Sequence, residues 1–421
     1  MTVLPHSEYD AIVVGGGPAG ATAAILLAQA GQRVAVIEKT PFPRSKVCGE
    51  FISATTWPLL HELGVADTLK NSAGPAVRRV GVFAERFKVV APMPLQQEGH
   101  NEVGRAVSRE VLDTVLLSRA AAAGASIWQP WTLTDAVSSP AHHACVVEHR
   151  GRGQKHRLEA PLLIAAHGSW EAGPLPTQQV RRAACLSDLL GFKVHFRGAT
   201  LAGDLMPLVA FPGGYGGMVN TGPNQLSLSC CVRRDQLELC RKRWPRHRAG
   251  DAVLAHILEH CAGAAEVLAA ATRDGPWLAA GPIQIGTRGF FRHGIFAVGN
   301  AAAEVHPVVA EGISIAIQSS ALLCEALQPH LAVPLTHSAM AAVHRQYAAA
   351  WRRNFQRRMR ASSIYAQIFM RPLLTRQVVS LIERFPLLLQ FGAGWSGKAR
   401  PLQPFRREPS TSPIGSAGEN S

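Results

Sequence analysis

The glycines at positions 15 to 20 are the residues of this 421-residue sequence most suited to binding a charged ligand. The segment reads GGGPAG, fits the spacing GxGxxG, and lies between an apolar run and an Ala-rich stretch. Gly15 permits a tight turn, Gly17 lets backbone approach a diphosphate, and Gly20 lets a helix pack closely on the preceding strand. Pro18 and Ala19 open that helix, whose free N–H groups and dipole attract negative charge. The segment predicts a dinucleotide site.

A carboxylate stands where a ribose would be recognised. Glu38 ends the second apolar run, 23 residues after Gly15, and Lys39 follows it. The Glu38 carboxylate can accept hydrogen bonds from ribose hydroxyls and would repel a 2′-phosphate, which argues against NADP at this site. A glycine turn without any ligand is the alternative. We place Glu38 and Lys39 among the nucleotide-binding residues.

These residues need a strand–helix–strand unit to position them. Tyr9–Gly15 and Val34–Glu38 are predicted as buried strands, and 18–30 as the helix between them, which implies a parallel βαβ unit. Ser108 is predicted to cap a helix running to about Ala123. Further predicted elements are strands at Val80–Val90, His142–His149, Leu162–Ala166 and Ile295–Val298, and helices near Asp251–Ala270, at Ile313–Leu327 and over most of 331–395.

Composition narrows the class of protein. The chain is 47% hydrophobic, and it has no run of eighteen apolar residues that would span a membrane. Its first nine residues do not resemble a signal peptide. The eight cysteines show no CxxC spacing, so we expect reduced thiols, no metal site and a cytoplasmic protein.

The net charge of +14 admits three interpretations. They are a solvated helix face, contact with an anionic membrane surface, and nucleic-acid binding. Nucleic acid is disfavoured because no zinc finger or RNP motif is present. The late cluster comprises Arg345, Arg352, Arg353, Arg357, Arg358 and Arg360.

Several segments between about residues 9 and 325 carry a resemblance to a known family. Arg109–Asp113 reads REVLD and resembles a helix of FAD-dependent hydroxylases and reductases, while GNAA at Gly299–Ala302 resembles their second flavin motif. CGE at Cys48–Glu50 and PVVAEGISIAIQS at Pro307–Ser319 are more restrictive. Together with GGYG at 213–216, these segments resemble the geranylgeranyl reductase family within the aromatic-hydroxylase-like flavoprotein group.

The resemblance implies FAD as cofactor and adds residues to its site. The implied cofactor-binding residues beyond the glycine segment are Arg44, Lys46, Cys48, Arg109, Gly299, Asn300, Gly312 and Ile313. A helix starting near Gly312 would direct backbone N–H groups at negative charge on the reduced flavin ring. The candidate proton donors of the site are His306 and Glu311. Tyr215 is expected in a Gly-rich turn beside the substrate pocket.

Three segments depart from the family pattern. His167-Gly168 replaces the usual Asp-Gly, and Gly299-Asn300 replaces Gly-Asp. Asn300 can hydrogen-bond without carrying charge, so we expect cofactor binding to survive. After Tyr215 the usual Trp, Phe and Pro are absent, which weakens the case for a prenyl reductase.

We therefore expect a FAD-dependent oxidoreductase, monooxygenase- or hydroxylase-like, acting on a lipophilic or aromatic small molecule. Reduction of prenyl or other C=C bonds is the alternative reaction, and a non-catalytic lipid or prenyl carrier is the alternative class. A halogenase is disfavoured because no W-x-W-x-I segment occurs. Without a second GxGxxG placed between a predicted strand and a helix, electrons come either from transiently bound NAD(P)H or from a protein donor. The oligomeric state is not indicated.

The expected fold is α/β, with a Rossmann-type parallel FAD sheet, an inserted mixed or antiparallel substrate sheet and a helical C-terminal region. We expect the FAD domain to be discontinuous, over 1–75, 105–170 and 282–330. The substrate domain then takes 76–104 and 171–281. The helical region follows at 331–405, and 406–421 forms a disordered tail.

Overall fold

The computed structural model describes residues 6–94, 102–139, 142–169, 172–178, 183–398 and 402. In chain order, the strands are β1 His6–Glu8, β2 Ala11–Val14, β3 Val34–Ile37, β4 Phe51–Ile52, β5 Arg79–Ala84, β6 Phe87–Pro92, β7 Arg105–Ala106, β8 Ser126–Trp128, β9 Trp131–Ser139, β10 His142–His149, β11 Lys155–Ala160, β12 Leu162–Ala165, β13 Leu189–Arg197, β14 Leu205–Phe211, β15 Gly214–Gly222, β16 Gln225–Arg233, β17 Thr272–Ile283, β18 Gly286–Thr287, β19 Phe291–Arg292, β20 Ile295–Ala297 and β21 Ala303–Glu304. The helices are α1 Pro18–Gln29, α2 Trp57–Glu62, α3 Ala66–Asn71, α4 Arg109–Ala122, α5 Arg234–Arg243, α6 Ala249–His260, α7 Ala262–Leu268, α8 Gly312–Leu327, α9 His337–Phe369, α10 Pro372–Arg384 and α11 Leu387–Ala393.

The predicted βαβ unit lies at the centre of a six-stranded sheet with the order β19-β20-β12-β2-β3-β8. All neighbours in it are parallel except the edge pair β19–β20. Strands β2, β3 and β12 are buried along their whole length, as continuous apolar strands in a parallel sheet must be. The expected Rossmann-type parallel sheet and α/β class are confirmed.

A second sheet of seven strands has the order β17-β13-β16-β15-β14-β5-β6. It is mixed, because β14 and β5 run parallel while the other pairs are antiparallel. One face packs on α6 and α7, and the other packs on the end of α9 and on α10 and α11. This confirms the inserted mixed sheet and the helical C-terminal region. A further four-stranded sheet, β1-β11-β10-β9, was not expected as a separate layer.

The helices surround the parallel sheet. α8 packs on α1 and on the 33-residue α9, whose Tyr347 hydroxyl donates to the Ala297 carbonyl oxygen at 3.0 Å. α4 begins where predicted, since the Ser108 hydroxyl accepts a hydrogen bond from the Val111 N–H. In the described part of the chain, no helix combines the length and apolar character that crossing a membrane requires.

Three local expectations were wrong. The helix expected near 251–270 is two helices, because Cys261 adopts extended backbone beside Glu85. The strand expected at 80–90 is a hairpin of β5 and β6. Tyr215 lies on β15, and not in the turn before it. The domain boundaries stay a prediction, and the tail expected at 406–421 lies outside the described residues.

Candidate functional site

One cavity of about 820 Å³ connects the glycine segment with the mixed sheet and the C-terminal helices. At one end it is lined by the predicted nucleotide-binding residues. At the other end it is lined by apolar side chains of β5, β14, β15, α10 and α11. The cavity can therefore hold a dinucleotide cofactor and a lipophilic molecule side by side.

The turn between β2 and α1 is built for close backbone approach. Gly15 has φ of +113°, and a Cβ there would lie 2.4 Å from the Ala166 carbonyl oxygen. A Cβ on Gly20 would lie 1.8 Å from the Gly15 carbonyl oxygen, so α1 can pack on the turn only without that atom. A Cβ on Gly17 would meet the guanidinium of Arg44 at 3.4 Å and would face the cavity. The turn thus leaves room for a diphosphate at the N-terminus of α1.

The carboxylate of Glu38 is buried and already oriented. It accepts hydrogen bonds from the N–H groups of Gly16 at 2.9 Å and Thr40 at 2.8 Å. The Arg44 guanidinium lies 3.0 Å from the same carboxylate. Glu38 and Lys39 both line the cavity, beside the position that a ribose would take. An ionised carboxylate offers about four acceptor positions, so this one retains capacity for a hydroxyl.

A chain of charged groups continues from Glu38. Arg44 also pairs with Asp113 at 3.3 Å, and Arg109 binds Asp113 through two hydrogen bonds of 2.8 and 2.7 Å. Burial opposes protonation of Arg109, but the neighbouring Asp113 carboxylate and Cys48 thiol raise its pKa overall. Burial, together with the positive charges of Arg109 and Arg44, lowers the pKa of Lys46 to about 8. The cluster presents positive charge to the cavity, where a diphosphate would neutralise it.

The second flavin motif lies opposite the glycine turn. Gly299 has φ of +56°, and a Cβ on it would meet the Ala19 Cβ at 2.8 Å. The Asn300 amide donates to the Ser169 hydroxyl at 2.8 Å and to the Glu304 carboxylate at 3.3 Å. Glu304 is buried and is held at 2.7 Å by Arg288. A carboxylate is thus present next to Asn300, four residues after the position where the family has Asp.

The start of α8 faces the cavity. Gly312 and Ile313 line it, and nothing lies within 4 Å of the position that a Gly312 Cβ would take. The free N–H groups of this helix can therefore approach a flat ring. Glu311 points away from the cavity lining. Its fully buried carboxylate lies 3.3 Å from both Arg358 and Lys398.

Two of the three catalytic candidates are hydrogen-bonded to each other. The Tyr215 hydroxyl lies 3.0 Å from His306 Nδ1. Burial lowers the pKa of His306 to about 4, and burial beside Cys231 raises the pKa of Tyr215 well above its usual range. Both groups are neutral at pH 7, and Tyr215 lines the cavity. The Tyr215 hydroxyl can donate to His306 Nδ1 while its oxygen accepts a hydrogen bond from a molecule in the cavity.

Sequence reasoning missed the partners of Glu50. This residue has φ of +60°, lines the cavity, and places a buried carboxylate against Lys193 and 2.8 Å from His195 on β13. The carboxylate also accepts the Arg109 N–H at 3.1 Å. Burial opposes ionisation, but the His195 hydrogen bond and the Lys193 charge lower the pKa of Glu50 to about 2. The CGE segment is thus joined to the mixed sheet by a buried ion pair.

The sequence analysis also left the apolar wall of the cavity unassigned. Side chains that share this wall come from three strands and the C-terminal helices: Val80, Val82, Met206, Leu208, Met218, Phe369, Leu381, Ile382, Leu389 and Phe391. The apolar spacing of Val378 and Ile382 on α10 was the available signal, but it does not reveal what the helix faces. A lipophilic substrate would be held here mainly by burial of apolar surface.

The predicted site residues fall into two groups. The cofactor-binding set borders one continuous space: Gly15, Gly17, Pro18, Ala19, Glu38, Lys39, Arg44, Lys46, Cys48, Arg109, Asn300, Gly312 and Ile313 all line the cavity. Gly20 and Gly299 support it from behind through close packing. Among the catalytic candidates, Tyr215 and His306 come together and Glu311 is occupied by its ion pairs. Their roles remain predictions.

Comparison with known proteins agrees with this geometry. The chain belongs to the FAD binding domain family, which it matches over residues 8–362. It is 25% identical over 404 residues to conditioned medium factor receptor 1 of Dictyostelium discoideum, covering 90% of this chain and 74% of that protein. It is 35% identical over 169 residues to digeranylgeranylglycerophospholipid reductase of Thermoplasma volcanium, covering 38% and 39%. The chain thus aligns with well under half the length of that reductase.

Solved structures show the same fold. The myxobacterial chondrochloren halogenase CndH matches with a TM-score of 0.71 and 22% identity, covering 83% of this chain and 81% of its own. A geranylgeranyl bacteriochlorophyll reductase-like protein of Thermoplasma acidophilum matches with a TM-score of 0.67 and 19% identity, covering 93% and 100%. The expected resemblance is confirmed. The chain is a FAD-dependent oxidoreductase, and its cofactor is FAD.

Proposed function

We propose that this chain hydroxylates a lipophilic or aromatic small molecule in a FAD-dependent, monooxygenase-like reaction. The Tyr215–His306 pair at the apolar wall of the cavity carries the proposal. The apolar wall of the cavity favours binding of a lipophilic molecule. The single neutral Tyr215–His306 pair can hydrogen-bond one hydroxyl group of that molecule. We infer that the protein is a cytoplasmic enzyme and that its substrate comes from a lipid phase.

The protein residues have separate tasks in this reaction. The turn at Gly15 and the charges of Arg44 and Arg109 hold the cofactor diphosphate, and Glu38 holds its adenosine ribose. The N-terminus of α8 supplies N–H groups to the flavin ring. When bound, reduced FAD supplies either activation of oxygen or hydride. Tyr215 accepts a hydrogen bond from the substrate hydroxyl while its own hydroxyl donates to His306 Nδ1, which orients the substrate and raises electron density on its ring.

Electrons reach the cofactor from outside the chain. We propose that NAD(P)H supplies them through transient contact, since 15–20 is the one GxGxxG segment among the described residues that follows a strand and opens a helix. A protein donor is the other source that the sequence allows. Rapid flavin bleaching by NADPH or NADH under nitrogen supports the first source, and bleaching only by a reduced electron-transfer protein supports the second.

A second reaction, reduction of a C=C bond, is favoured by one specific observation. The CGE segment lines the cavity, and Glu50 within it is held by a dedicated ion pair. The Thermoplasma volcanium relative with 35% identity is a reductase by name. In this reaction, Tyr215 would donate the proton that accompanies hydride transfer.

Two other classes receive less support. A non-catalytic carrier would not require the glycine turn or the charged cluster at the diphosphate position. A nucleic-acid binder is disfavoured because the sequence has no zinc finger or RNP motif, and in the late basic cluster Arg358 is buried against Glu311 while the other five arginines are exposed. The burial of Arg358 corrects the interpretation of the late basic cluster as a face that is solvated throughout.

The experiment that tests the proposal follows the oxygen atom. FAD-loaded protein is reduced anaerobically, mixed with a panel of phenolic lipids and polyprenyl alkenes, and exposed to ¹⁸O₂. A product carrying one ¹⁸O atom and formed only with oxygen supports hydroxylation. An anaerobic product two mass units heavier than the alkene contradicts hydroxylation and supports reduction. Absence of any product from the panel, with normal flavin reduction, counts against both lipophilic classes.

A further inference from the structure

Large apolar side chains are exposed on the C-terminal helices. Eight of the thirteen exposed large apolar side chains among the described residues lie between positions 373 and 395. They are Leu373, Leu374, Leu381, Phe385, Leu387, Leu388, Phe391 and Trp395, and we call them the C-terminal apolar surface. Leu373 is 80% exposed, Leu387 76% and Phe391 74%. Scattered apolar residues are ordinary on a surface, but a contiguous patch of this kind marks an interaction site.

Packing among the described residues does not account for this surface. On α10, Thr375, Val379 and Ile382 form the buried face against the mixed sheet. Leu374 and Leu381 lie seven residues apart, on one side of the helix next to that face, and both are exposed. A helix that only covers a protein core needs one apolar stripe, so the additional exposed positions serve another contact.

The same surface is continuous with the cavity. Leu381, Leu388, Phe391 and Trp395 are exposed and also line the cavity. An apolar path therefore runs from the outside of α10 and α11 to the wall beside Tyr215. A molecule dissolved in a lipid phase could follow it without entering water.

The charges around the surface identify the kind of partner. Exposed Arg371, Arg376 and Arg384 lie on or beside α10, and Glu383 is the exposed acidic residue of that helix. Exposed Arg357 and Arg360 precede them on α9. Apolar side chains bordered by arginines complement a bilayer with anionic headgroups, where leucines and aromatic rings enter the interface. The 19 residues after Leu402 contain only Phe405 and Ile414 as large apolar residues, too few to match this surface.

We propose that the C-terminal apolar surface docks this protein on one leaflet of an anionic membrane and that the cavity opens there. At 13 residues, α10 is too short to span, so it would lie in the interface plane. The role of this surface in substrate entry rests on the proposed function, because it assigns the substrate to the membrane phase. Docking itself does not depend on turnover.

Vesicle binding tests the docking. Full-length FAD-loaded protein is sedimented with phosphatidylglycerol–phosphatidylcholine vesicles. The double variant Leu373→Gln/Leu387→Gln removes two exposed leucines that do not line the cavity, and it should bind at least about 10-fold more weakly. The matched control Val137→Gln/Leu239→Gln removes two exposed apolar residues elsewhere and should bind like the parent protein. Flavin content and the unfolding midpoint confirm that each variant is folded.

Quenching locates the contact. Trp395 is one of eight tryptophans, so its emission is the difference between the parent protein and Trp395→Phe. Brominated anionic lipids should quench that difference emission. Parent protein left in the supernatant, or equal vesicle binding by the leucine double variant, overturns the proposal. Self-association that is lost in the same variant, without vesicle binding, would assign the surface to a second copy. If the protein binds vesicles but forms no oxygen-dependent product, the docking proposal is supported and only the proposed hydroxylation is contradicted.

Discussion

The Tyr215 hydroxyl lies 3.0 Å from His306 Nδ1, although the two residues are 91 positions apart. β15 brings Tyr215 from the mixed sheet, and the segment before α8 brings His306 from the cofactor side. The contact therefore spans the junction at which cofactor and substrate would meet. It places the only hydrogen-bonded pair among the catalytic candidates at that junction.

Tyr215→Phe should retain FAD and lose turnover. The phenyl ring preserves packing, but it has no hydroxyl to hydrogen-bond the substrate and His306, so kcat should fall about 100-fold with KM little changed. Steady-state turnover of the hydroxylated product measures this effect. Phe211→Leu, an aromatic change in the adjacent β14, is the control and should leave kcat near that of the parent protein. Equal turnover by Tyr215→Phe would remove the pair from the mechanism.

Restoring the family's usual aspartate should weaken cofactor binding in this chain. In Asn300→Asp, the new carboxylate would lie beside Glu304, where the Asn300 amide now donates at 3.3 Å. Repulsion between the new half-buried carboxylate and the buried Glu304 carboxylate should weaken FAD binding about 10-fold, as measured by fluorescence titration. Combining it with Glu304→Gln should recover the affinity. Tighter binding by Asn300→Asp alone would show that Glu304 does not replace the missing charge.

The ion pair beneath the CGE segment should contribute strongly to stability. Lys193→Met removes the ammonium group that pairs with the buried Glu50 carboxylate and leaves it only the His195 imidazole 2.8 Å away, so we expect a loss of about 3–5 kcal/mol in the free energy of unfolding by urea. Glu50→Gln in the same background should restore much of that loss. The exposed pair Lys88–Glu266 is the control, since Lys88→Met should change stability little. A small effect of Lys193→Met would contradict a buried, ionised Glu50.

Buried histidines should make the fold sensitive to mild acid. Burial lowers the pKa of His143, His167 and His306 to about 4, against an ordinary value of 6.5. Between these pH values the unfolded chain binds more protons, so the contribution of these three histidines to the free energy of unfolding falls as pH drops from 6.5 to 4 and is constant above 6.5. Glu50, whose pKa is lowered from 4.5 to about 2, loses its contribution as pH falls through that range.

Thermal unfolding across this pH range checks that expectation. His143→Leu should flatten the dependence, because it removes one buried titrating group. His247→Leu, at an exposed position that none of the three buried histidines contacts, should leave the pH dependence unchanged. A midpoint that stays constant from pH 7.5 to 4.5 would contradict neutral buried imidazoles.

The sequence predicted contacts between residues that lie close together along the chain, but not contacts between residues of different sheets. Gly15, Gly20 and Glu38 act within one βαβ unit, so their spacing alone defines the turn and its carboxylate. Glu50 was visible within the CGE segment, but its partner Lys193 lies on another sheet, and the sequence does not specify which residues of two sheets meet. Local patterns predicted the two principal sheets and the C-terminal helices. The apolar wall depends on how those helices pack.

The same reason explains why the surroundings of two charges were not predicted. Glu311 was a candidate proton donor, and Arg358 was grouped with solvated arginines. In the fold they lie 3.3 Å apart, 47 positions from each other, with Lys398 on the opposite side of the carboxylate. Each charge looks exposed in a linear pattern because its partner comes from a different segment. Burying such a charge is tolerated only when its oppositely charged partners are buried beside it.

We propose that bare backbone at the β2–α1 turn holds the FAD diphosphate. Fluorescence titration of flavin-stripped protein with FAD tests it most directly, using Gly20→Ala and the control Gly222→Ala. A Cβ at Gly20 would lie 1.8 Å from the Gly15 carbonyl oxygen, whereas nothing lies within 4 Å of one at Gly222. We predict one FAD per chain for the parent protein and Gly222→Ala, with binding lost in Gly20→Ala. Absence of FAD binding by the parent protein, or undiminished binding by Gly20→Ala, would contradict the account.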